Sequence, residues 1–492
     1  MKTNYSHSED MTYIPQGMLS DTAQYLTKGG DARIVLDAVS GINQYGCRPF
    51  PDPDMLAYGS STASIISTQG YHCADQLRQR LVEALKTESA SIIYSYEIKR
   101  ISEELIQLCD LPETTGVIFS ASGTDIHSLV SHYVGRENNL APRIIMIEAN
   151  ETGKGVSAAL RSGNHYELNG VIPVKVRLDD GELRSITAID EEVEALVTEA
   201  IATNRRVLLI VTDQSKTGLI TPSLSCVLDL HQRYKDKIDV LIDACQFRVA
   251  PPTLRAYLDL GFMVALTGSK FLTGPSFSGA ILFKSALSRE LEAANKALNN
   301  NSSQAANIGL LLRWEVALQE LKAFRSLAQE DIITIINDFT SAIQQRLQQD
   351  AFFEPLPVPK IDRSPMIVEH SWDQLQTIFP FLLYHANTER TPLSAEETLV
   401  VYKQLSISID NECFNLQGRH KAIAALRCQT GQPVACGKRN GLDISALRLC
   451  ISTRHIVTAN SEENSCQSII DAALFVLDKI ALLIQLLPAL KV

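Results

Sequence analysis

The chain has 492 residues, of which 45% are hydrophobic and 21% charged, so it can bury a large core and is expected to form more than one domain. Its formal net charge is -11, and no run of basic residues is present. This balance excludes a large nucleic-acid surface, which would need clustered Lys and Arg.

The first 75 residues have the composition of an irregular arm. The segment 48–54 contains three prolines and two aspartates, and the segment 60–64 reads Ser-Ser-Thr-Ala-Ser. Such residues favour turns over regular elements. The chain start also lacks the basic and apolar regions of a secretory signal, which predicts a cytoplasmic location.

From Asp75 to about Leu111 the sequence has a helical pattern, and beyond it short apolar runs alternate with helical segments up to about residue 285. Compact apolar runs that end in polar or Gly residues are typical of strands buried on both faces. The predicted strands are 117–119, 144–147, 207–212, 240–242, 264–266 and 280–283. This alternation predicts an α/β fold, a mainly parallel sheet with helices on both faces.

The second half of the chain predicts a bridge and a smaller domain. An Asn- and Ser-rich loop at 299–303 precedes a helix with one apolar face, formed by Leu311, Trp314, Leu318 and Leu321. We predict an N-terminal arm at 1–75, a large domain at 76–325 and a smaller α+β C-terminal domain at 326–492.

The C-terminal segment 468–490 is the most apolar part of the chain. Asp471, Asp478 and Lys479 interrupt it, and its apolar residues recur at helical spacing, namely Ile470, Leu474, Leu477 and Ala481. We therefore expect a packed helix and no membrane partner.

Ten cysteines are scattered without any CxxC pair, which predicts reduced, structural thiols. No His spacing suggests a metal site, and His72, His127 and His132 are interpreted as ordinary helix or loop residues.

Polar residues at three strand ends suggest a cofactor site. After 117–119, the small residues Ser122, Gly123 and Thr124 begin a helix whose free N–H groups and dipole favour an anion such as phosphate. The alternative is a simple helix N-cap. The second strand end carries Asp243, with helix capping as its alternative role.

The third strand end carries Lys270, in the segment Thr-Gly-Ser-Lys-Phe at 267–271. A lysine among small residues at a strand end can lose part of its hydration, which lowers its pKa and makes its amine nucleophilic. Taken alone, a loop lysine is more often solvated. An amine, a buried acid and a phosphate cradle are together what pyridoxal phosphate (PLP) needs.

In their order, these strand ends resemble those of the fold-type-I PLP enzymes, and within them the class V aminotransferase and cysteine desulfurase group. That group has an Asp-x-x-Gln pattern followed by Ser/Thr-x-x-Lys-x-x-Gly-Pro. Asp243 and Gln246 match the first pattern and Thr267 and Lys270 the second, although Gly-Pro at 274–275 lies one residue further from the lysine. The resemblance covers roughly residues 30–460 and implies PLP as cofactor and a homodimer.

The resemblance also implies roles for single residues. Lys270 would form the Schiff base and act as general acid and base, and Asp243 would pair with the pyridine nitrogen. Thr267 and Ser269 would bind the phosphate together with the turn at 122–124.

Further positions match the same group. Gln214 occupies the position of an Asn that contacts the ring's phenolic oxygen, a contact that Gln246 could also make; for Gln214 the alternative is a plain turn residue. Arg448 lies in a segment similar to the group's Arg-x-Ser strand, whose arginine clamps the substrate carboxylate. A surface salt bridge is the alternative for Arg448, and Arg454 is a nearby competitor.

The sequence departs from the group at two points. The strand after the phosphate turn usually ends in a His that stacks on the ring; here no His is present and Glu151 is the nearest match. Cys428 and Cys436 lie near the region of the desulfurase catalytic cysteine, but neither is at the matching position.

These features predict a PLP-dependent transferase that acts on an amino acid or amine. A lyase or a cysteine desulfurase-like enzyme that cleaves a C–S bond is the alternative within the same class. A PLP-binding regulator without catalysis is the alternative from another class.

Overall fold

The computed structural model describes residues 21–135, 140–162, 170–299, 306–367, 371–385, 389–409, 414–461 and 465–490. The first 20 residues of the predicted arm and all but the first residue of the predicted loop at 299–303 lie outside these ranges.

An eight-stranded sheet forms the centre of the large domain. Its strands are β2 (Thr115–Ser120), β3 (Arg143–Ile147), β4 (Val171–Val174), β5 (Val207–Asp213), β6 (Ile220–Thr221), β7 (Ile238–Asp243), β8 (Met263–Thr267) and β9 (Gly279–Lys284). The order is β2-β9-β8-β7-β5-β3-β4, with β6 paired to β5. Pairing is parallel from β4 through β3, β5 and β7 to β8, and antiparallel at β6 and β9.

All six predicted strands are confirmed. Every residue of β5 and β8 is buried, because helices cover both faces of the sheet, and this two-sided burial produces the continuous apolar runs of the sequence. The sequence did not reveal β4, which is only four residues long and has two of them less than fully buried.

The helices of the large domain surround this sheet. They are α1 (Thr22–Leu26), α2 (Thr68–Ala84), α3 (Ala90–Leu108), α4 (Gly123–Val134), α5 (Val156–Ser162), α6 (Ile186–Ala202), α7 (Leu224–Arg233), α8 (Pro251–Asp259) and α9 (Ser288–Asn299). The helical pattern predicted from Asp75 to Leu111 proves to be two helices. The second begins at its N-cap Ser89, whose side chain accepts the N–H of Ile92.

The helix predicted from this apolar face is α10 (Ile308–Arg325), and its role as a bridge between domains stays a prediction. The helix is buried along most of its length, with Leu311, Trp314 and Leu318 in the core. The smaller domain then contains α11 (Gln329–Gln349), α12 (Ala395–Leu405), α13 (Gly418–Ala425), α14 (Thr453–Ser461) and α15 (Ser465–Leu490).

A five-stranded sheet supports the smaller domain, in the order β1-β12-β13-β11-β10. Its strands are β1 (Met55–Tyr58), β10 (Phe353–Pro355), β11 (Ile378–Leu383), β12 (Arg427–Arg439) and β13 (Leu442–Cys450). The expectation that the arm holds no core element is wrong at β1, which pairs in parallel with β12. Its partner lies more than 350 residues further along the chain, so local composition gave no sign of the strand.

Among the described residues one helix, 466–490 within α15, is long and apolar enough to cross a membrane. In its most apolar window 56% of the residues are buried inside the protein. Ile470, Leu477 and Ala481 lie in the core of the smaller domain, so the predicted packing of this helix is confirmed.

Candidate functional site

The candidate site lies at one edge of the large sheet, where several strands end. Thr212 of β5 is paired with Asp243 of β7, and Asp243 with Ala265 of β8. The residues that follow these strands therefore meet at the carboxyl edge, the usual ligand-binding edge of such a sheet. Of the predicted residues, Gln214 and Lys270 follow β5 and β8, and Asp243 is the last residue of β7.

Asp243 forms a buried ion pair with His127 of α4. The Oδ2 and Nε2 atoms are 3.3 Å apart, and both side chains are buried. Nδ1 of His127 lies 2.7 Å from the carbonyl oxygen of Gly123. A carbonyl only accepts, so Nδ1 carries a proton and Nε2 faces the carboxylate. His127, one helical turn after Gly123 on α4, thus fixes the orientation of the Asp243 carboxylate.

The two members of this pair shift each other's pKa. Burial alone would raise the pKa of Asp243, but the hydrogen bond and charge of His127, together with the charge of Lys270, outweigh it and hold the pKa well below its usual range. Burial alone would lower the pKa of His127, but its bond to Asp243 raises it. The carboxyl is therefore ionised at neutral pH.

The sequence interpretation of His127 as an ordinary helix residue missed this contact. The sequence contained one signal: His127 lies four residues after Gly123, so it shares a helix face with the predicted phosphate turn at 122–124.

Lys270 lies in a tight turn after β8. Its carbonyl oxygen accepts hydrogen bonds from Thr273 N, at 3.0 Å, and from Ser64 Oγ, at 3.1 Å. Within the described residues its Nζ has no hydrogen-bond or ion-pair partner. The backbone is thus fixed while the amine is left available.

At the predicted phosphate turn, Ser122 is the N-cap of α4. Its Oγ accepts Asp125 N at 3.3 Å and donates to Asp125 Oδ2 at 2.8 Å. The backbone of Gly279 in β9 lies so close to this turn that a Cβ there would be 2.7 Å from the carbonyl carbon of Ser122. The capping alternative thus describes Ser122, and phosphate binding by 122–124 stays a prediction.

The other two predicted phosphate ligands lie beside this turn. Thr267 Oγ1 donates to the carbonyl oxygen of Cys245 at 2.6 Å, and Ser269 Oγ donates to Thr267 Oγ1 at 3.5 Å. A Cβ on Gly123 would come within 2.9 Å of Cys245 Sγ and 3.2 Å of Thr267 Cγ2. The structure therefore places Thr267 next to the start of α4, with the Ser269 hydroxyl beside the Thr267 hydroxyl.

The two predicted amide residues contact the protein backbone. Gln214 Nε2 donates to Arg248 O at 3.2 Å, and Gln246 Nε2 donates to Ser61 O at 3.1 Å. Oε1 of Gln246 is buried and has no hydrogen-bond partner among the described residues. Gln214 and Phe247 have φ angles of +60° and +54°, a conformation that costs of order 1–3 kcal/mol per non-Gly residue and is frequent near active sites.

The hydroxyl-rich segment 60–64 of the arm crosses the site. Arg248 Nη2 donates to Ser60 Oγ at 2.9 Å, and Arg448 Nη2 donates to Thr62 Oγ1 at 3.0 Å. With the contacts of Ser61 and Ser64, these bonds join the arm to the ends of β7, β8 and β13.

Arg448 is buried, with 1% of its surface exposed, so the alternative of a surface salt bridge is wrong. Nη2 donates to Gln432 O and to Thr62, and Nη1 donates to Lys216 O at 3.3 Å. Burial lowers its pKa, and Nε has no partner in the described part of the chain. The competitor Arg454 donates to Ile65 O and forms an ion pair with Glu320 at 2.9 Å.

Glu151 is buried among protein partners. Its carboxylate accepts Ser215 Oγ at 2.7 Å and Thr217 Oγ1 at 2.8 Å, and lies 3.3 Å from Arg177 Nε. These bonds turn it towards the 215–217 turn, so they do not support the predicted position on the cofactor ring. The next residue, Thr152, is buried with a hydroxyl that has no partner among the described residues, and the sequence interpretation missed it.

Lys216 is a second lysine at this edge of the sheet, also missed. Its Nζ donates to Ala149 O at 3.3 Å and to Asn150 O at 3.2 Å, in the loop after β3. Burial, with the charges of Arg448 and Lys270, lowers its pKa to about 7. The signal in the sequence was a lysine two residues after Gln214, beside a strand end already singled out.

No cluster of three or more His, Cys, Asp or Glu side chains that could hold a metal ion occurs in the described ranges. The nine cysteines in those ranges are free thiols.

No protein-family model matches the sequence, and no curated protein matches it by sequence. Among solved structures, the complex of the cystine C–S lyase C-DES with its product cysteine persulfide is 13% identical, with a TM-score of 0.54, and covers 86% of this chain and 97% of its own. The Oryza sativa TDC with PLP is 13% identical, with a TM-score of 0.52, and covers 88% and 84%.

A third similar structure is the glutamate decarboxylase domain of a Vibrio parahaemolyticus protein that is named diaminobutyrate-pyruvate transaminase and L-2,4-diaminobutyrate decarboxylase. It is 12% identical, with a TM-score of 0.51, and covers 87% of this chain and 81% of its own. The chain therefore has the fold of the fold-type-I PLP-dependent enzymes, which confirms the predicted fold class.

Proposed function

We propose that this protein is a PLP-dependent enzyme that carries its cofactor on Lys270 and acts as a transferase on an amino acid or amine. The observation that carries the proposal is the buried carboxylate of Asp243, which His127 keeps ionised and whose pKa the charge of Lys270 also lowers. The Lys270 amine has no partner within the described residues. An ionised acid near such an amine, at the ligand-binding edge of this fold, suits PLP.

The residues present fit this cofactor. Two buried polar atoms among the site residues, Gln246 Oε1 and Thr152 Oγ1, have no hydrogen-bond partner in the part of the chain that the structure describes. The small residues at the start of α4 leave backbone N–H groups for a phosphate. Asp125 also lies at this turn, and burial raises its pKa, which reduces the negative charge it presents to a phosphate.

When bound, PLP supplies an electron-withdrawing ring that stabilises negative charge on the substrate. In this proposal Asp243 would hold the ring nitrogen of the cofactor in its protonated form, and Lys270 would anchor the cofactor and then give and take protons at Nζ. The turn at 122–124, with Thr267 and Ser269, would hold the phosphate. Gln214 and Gln246 would contact the ring, and Arg448 would orient the substrate carboxylate.

The burial of Cys428 and Cys436 weighs against a desulfurase. Both are essentially unexposed, and burial raises the pKa of each to about 11. A thiol that takes up sulfur must be accessible and ionised. A lyase that needs no such thiol is the remaining alternative, and release of keto acid, sulfide or carbon dioxide from an amino-acid panel would distinguish these reactions.

Two further proposals concern partners and location. The exposed apolar side chains of Ile92 and Tyr96 on α3, and of Val35 and Val39 in the arm, support a homodimer. Free thiols at all the described cysteines support a reducing compartment such as the cytoplasm.

The cofactor assignment is tested by Lys270→Ala. We expect the purified variant to lose the visible absorbance of lysine-bound PLP, and borohydride to attach the cofactor to the Lys270 peptide of the wild type, detected by mass spectrometry. Lys296→Ala, on the exposed face of α9, is the control and keeps the band. An unchanged spectrum in Lys270→Ala would overturn the assignment.

A further inference from the structure

Lys216 lies in the turn after β5, with its backbone next to Arg448. Its backbone oxygen accepts a bond from Arg448 Nη1, and its Nζ reaches back to the carbonyls of Ala149 and Asn150. Lys216 therefore connects Arg448, the proposed ligand of the substrate carboxylate, through its backbone to the loop after β3 through its side chain. In the described ranges Nζ has no carboxylate within ion-pair distance.

Burial of the ammonium is the largest cause of the lowered pKa of Lys216, and the charged groups around it add to this effect. Arg448, Lys270 and Lys154 contribute positive charge, and the charge of Glu151 opposes them. The Glu151 carboxylate is already bound by Arg177, Ser215 and Thr217. The two carbonyl partners of Nζ are neutral, so desolvation of the ammonium is poorly compensated.

Resting on the function proposed above, we propose that Lys216 is a second acid–base residue, which removes the proton from the substrate's ammonium group. An amino acid at neutral pH arrives as an ammonium ion, and it must become a neutral amine to attack. Lys270 carries the cofactor at that stage, so its amine is not available as the base. Transfer of one proton from the substrate nitrogen to Lys216 Nζ gives a neutral substrate amine and a Lys216 ammonium, with no other reactant.

The protonation state of Lys216 suits this role. With its pKa lowered to about 7, a large fraction of the side chain is a neutral amine at neutral pH, whereas an ordinary lysine, with a pKa of about 10.4, is almost entirely charged. A base whose pKa is near the working pH is the most effective one. An arginine at this position would stay protonated.

The first test measures the amine of Lys216 directly and needs no turnover. The wild-type protein, with its cofactor, is labelled with trace acetic anhydride between pH 5.5 and 10, and labelling at each lysine is read by mass spectrometry. Lys154, exposed in the neighbouring loop, is the internal reference. We expect Lys216 to be half-labelled near pH 7, well below the pH of about 10.4 at which an ordinary lysine loses its proton. Parallel titration of the two, or no labelling of Lys216, would overturn the inference.

The second test is the pH profile of substrate binding. The rate of the absorbance change on mixing with an amino acid substrate should rise through about pH 7 in the wild type. Lys216→Met should lower this rate about 100-fold at pH 7.5 and remove the rise, and Lys216→Arg should behave alike. Lys296→Met, at an exposed position on α9, is the control and keeps the wild-type profile.

The outcomes separate the two proposals. A wild-type profile in Lys216→Arg would mean that Lys216 acts only through its size and charge, and the inference fails while the cofactor assignment holds. A wild type without a PLP band would instead overturn the proposed function.

Discussion

At the scale of single residues, the histidine that supports Asp243 gives a prediction with a defined pH dependence. His127→Gln leaves a buried carboxylate without its cation, which costs about 3–5 kcal/mol when a buried pair is broken. The raised pKa of His127 means that its contribution is fully present below the unfolded value of about 6.5 and is lost as pH rises through the folded pKa. The depressed pKa of Asp243 keeps its own contribution above about pH 3.9, and that contribution is lost as pH falls through the folded pKa.

The difference in unfolding free energy between wild type and His127→Gln should therefore be largest between roughly pH 4 and 6.5 and shrink at higher pH. Urea unfolding at a series of pH values measures it. His72→Gln, an exposed histidine on α2, is the control and should differ little from wild type throughout. A difference that grows with pH would contradict the ion pair.

Site residues near the ends of predicted strands could be identified from the sequence. Site residues that matter because they contact another helix, strand or loop could not. Asp243 and Lys270 follow apolar runs and match a known pattern, so the sequence named both. His127 and Lys216 gain their importance from α4 lying against β7 and from the turn after β5 lying against the loop after β3. Those contacts depend on packing, which a linear pattern does not record.

At the scale of elements, the turn after β5 is fixed by a fully buried ion pair. Arg363 donates to both oxygens of Asp213, at 2.9 and 2.7 Å, and Tyr257 Oη donates to Asp213 Oδ2 at 2.7 Å. Arg363 also donates to Asp373 O at 2.6 Å. Since Asp213 precedes Gln214, this pair holds the backbone next to the strained Gln214.

Arg363→Met should lower the unfolding free energy by about 3–5 kcal/mol, because Asp213 is left buried without its cation. Combining it with Asp213→Asn should cost less than the sum of the two single changes, because the charge and its partner are then removed together. Chemical denaturation of the four proteins of this cycle measures the coupling. Lys86→Met, which breaks an exposed pair with Glu83, should leave stability unchanged. Additive effects at 213 and 363 would rule out the pair.

Elements defined by local pattern were predicted well, and elements defined by distant partners were not. The six buried strands were visible because each is a continuous apolar run. Strand β1 was not, because its place depends on residues 427–430, and the break between α2 and α3 depends on a capping serine within a continuous helical pattern.

At the scale of the whole molecule, the turn that carries Lys270 belongs to the large domain but is anchored in the smaller one. Phe271, next to Lys270, stacks on Trp372 with ring centroids 5.3 Å apart and packs edge-on against Phe324 at 5.6 Å. Thr453 N and Oγ1 donate to the carbonyl oxygen of Phe271 at 3.0 and 2.9 Å. The position of Lys270 is thus coupled to the core of the smaller domain.

Phe271→Ala should therefore affect both stability and the site. Removing a fully buried Phe costs about 3–5 kcal/mol, and the loosened turn should release PLP faster on dialysis, followed by the loss of visible absorbance. Phe475→Ala, at an exposed position on α15, is the matched control and should change neither property. If Phe271→Ala loses stability but keeps the cofactor as tightly as wild type, the smaller domain stabilises the fold without positioning Lys270, and the proposed coupling between the two domains is wrong.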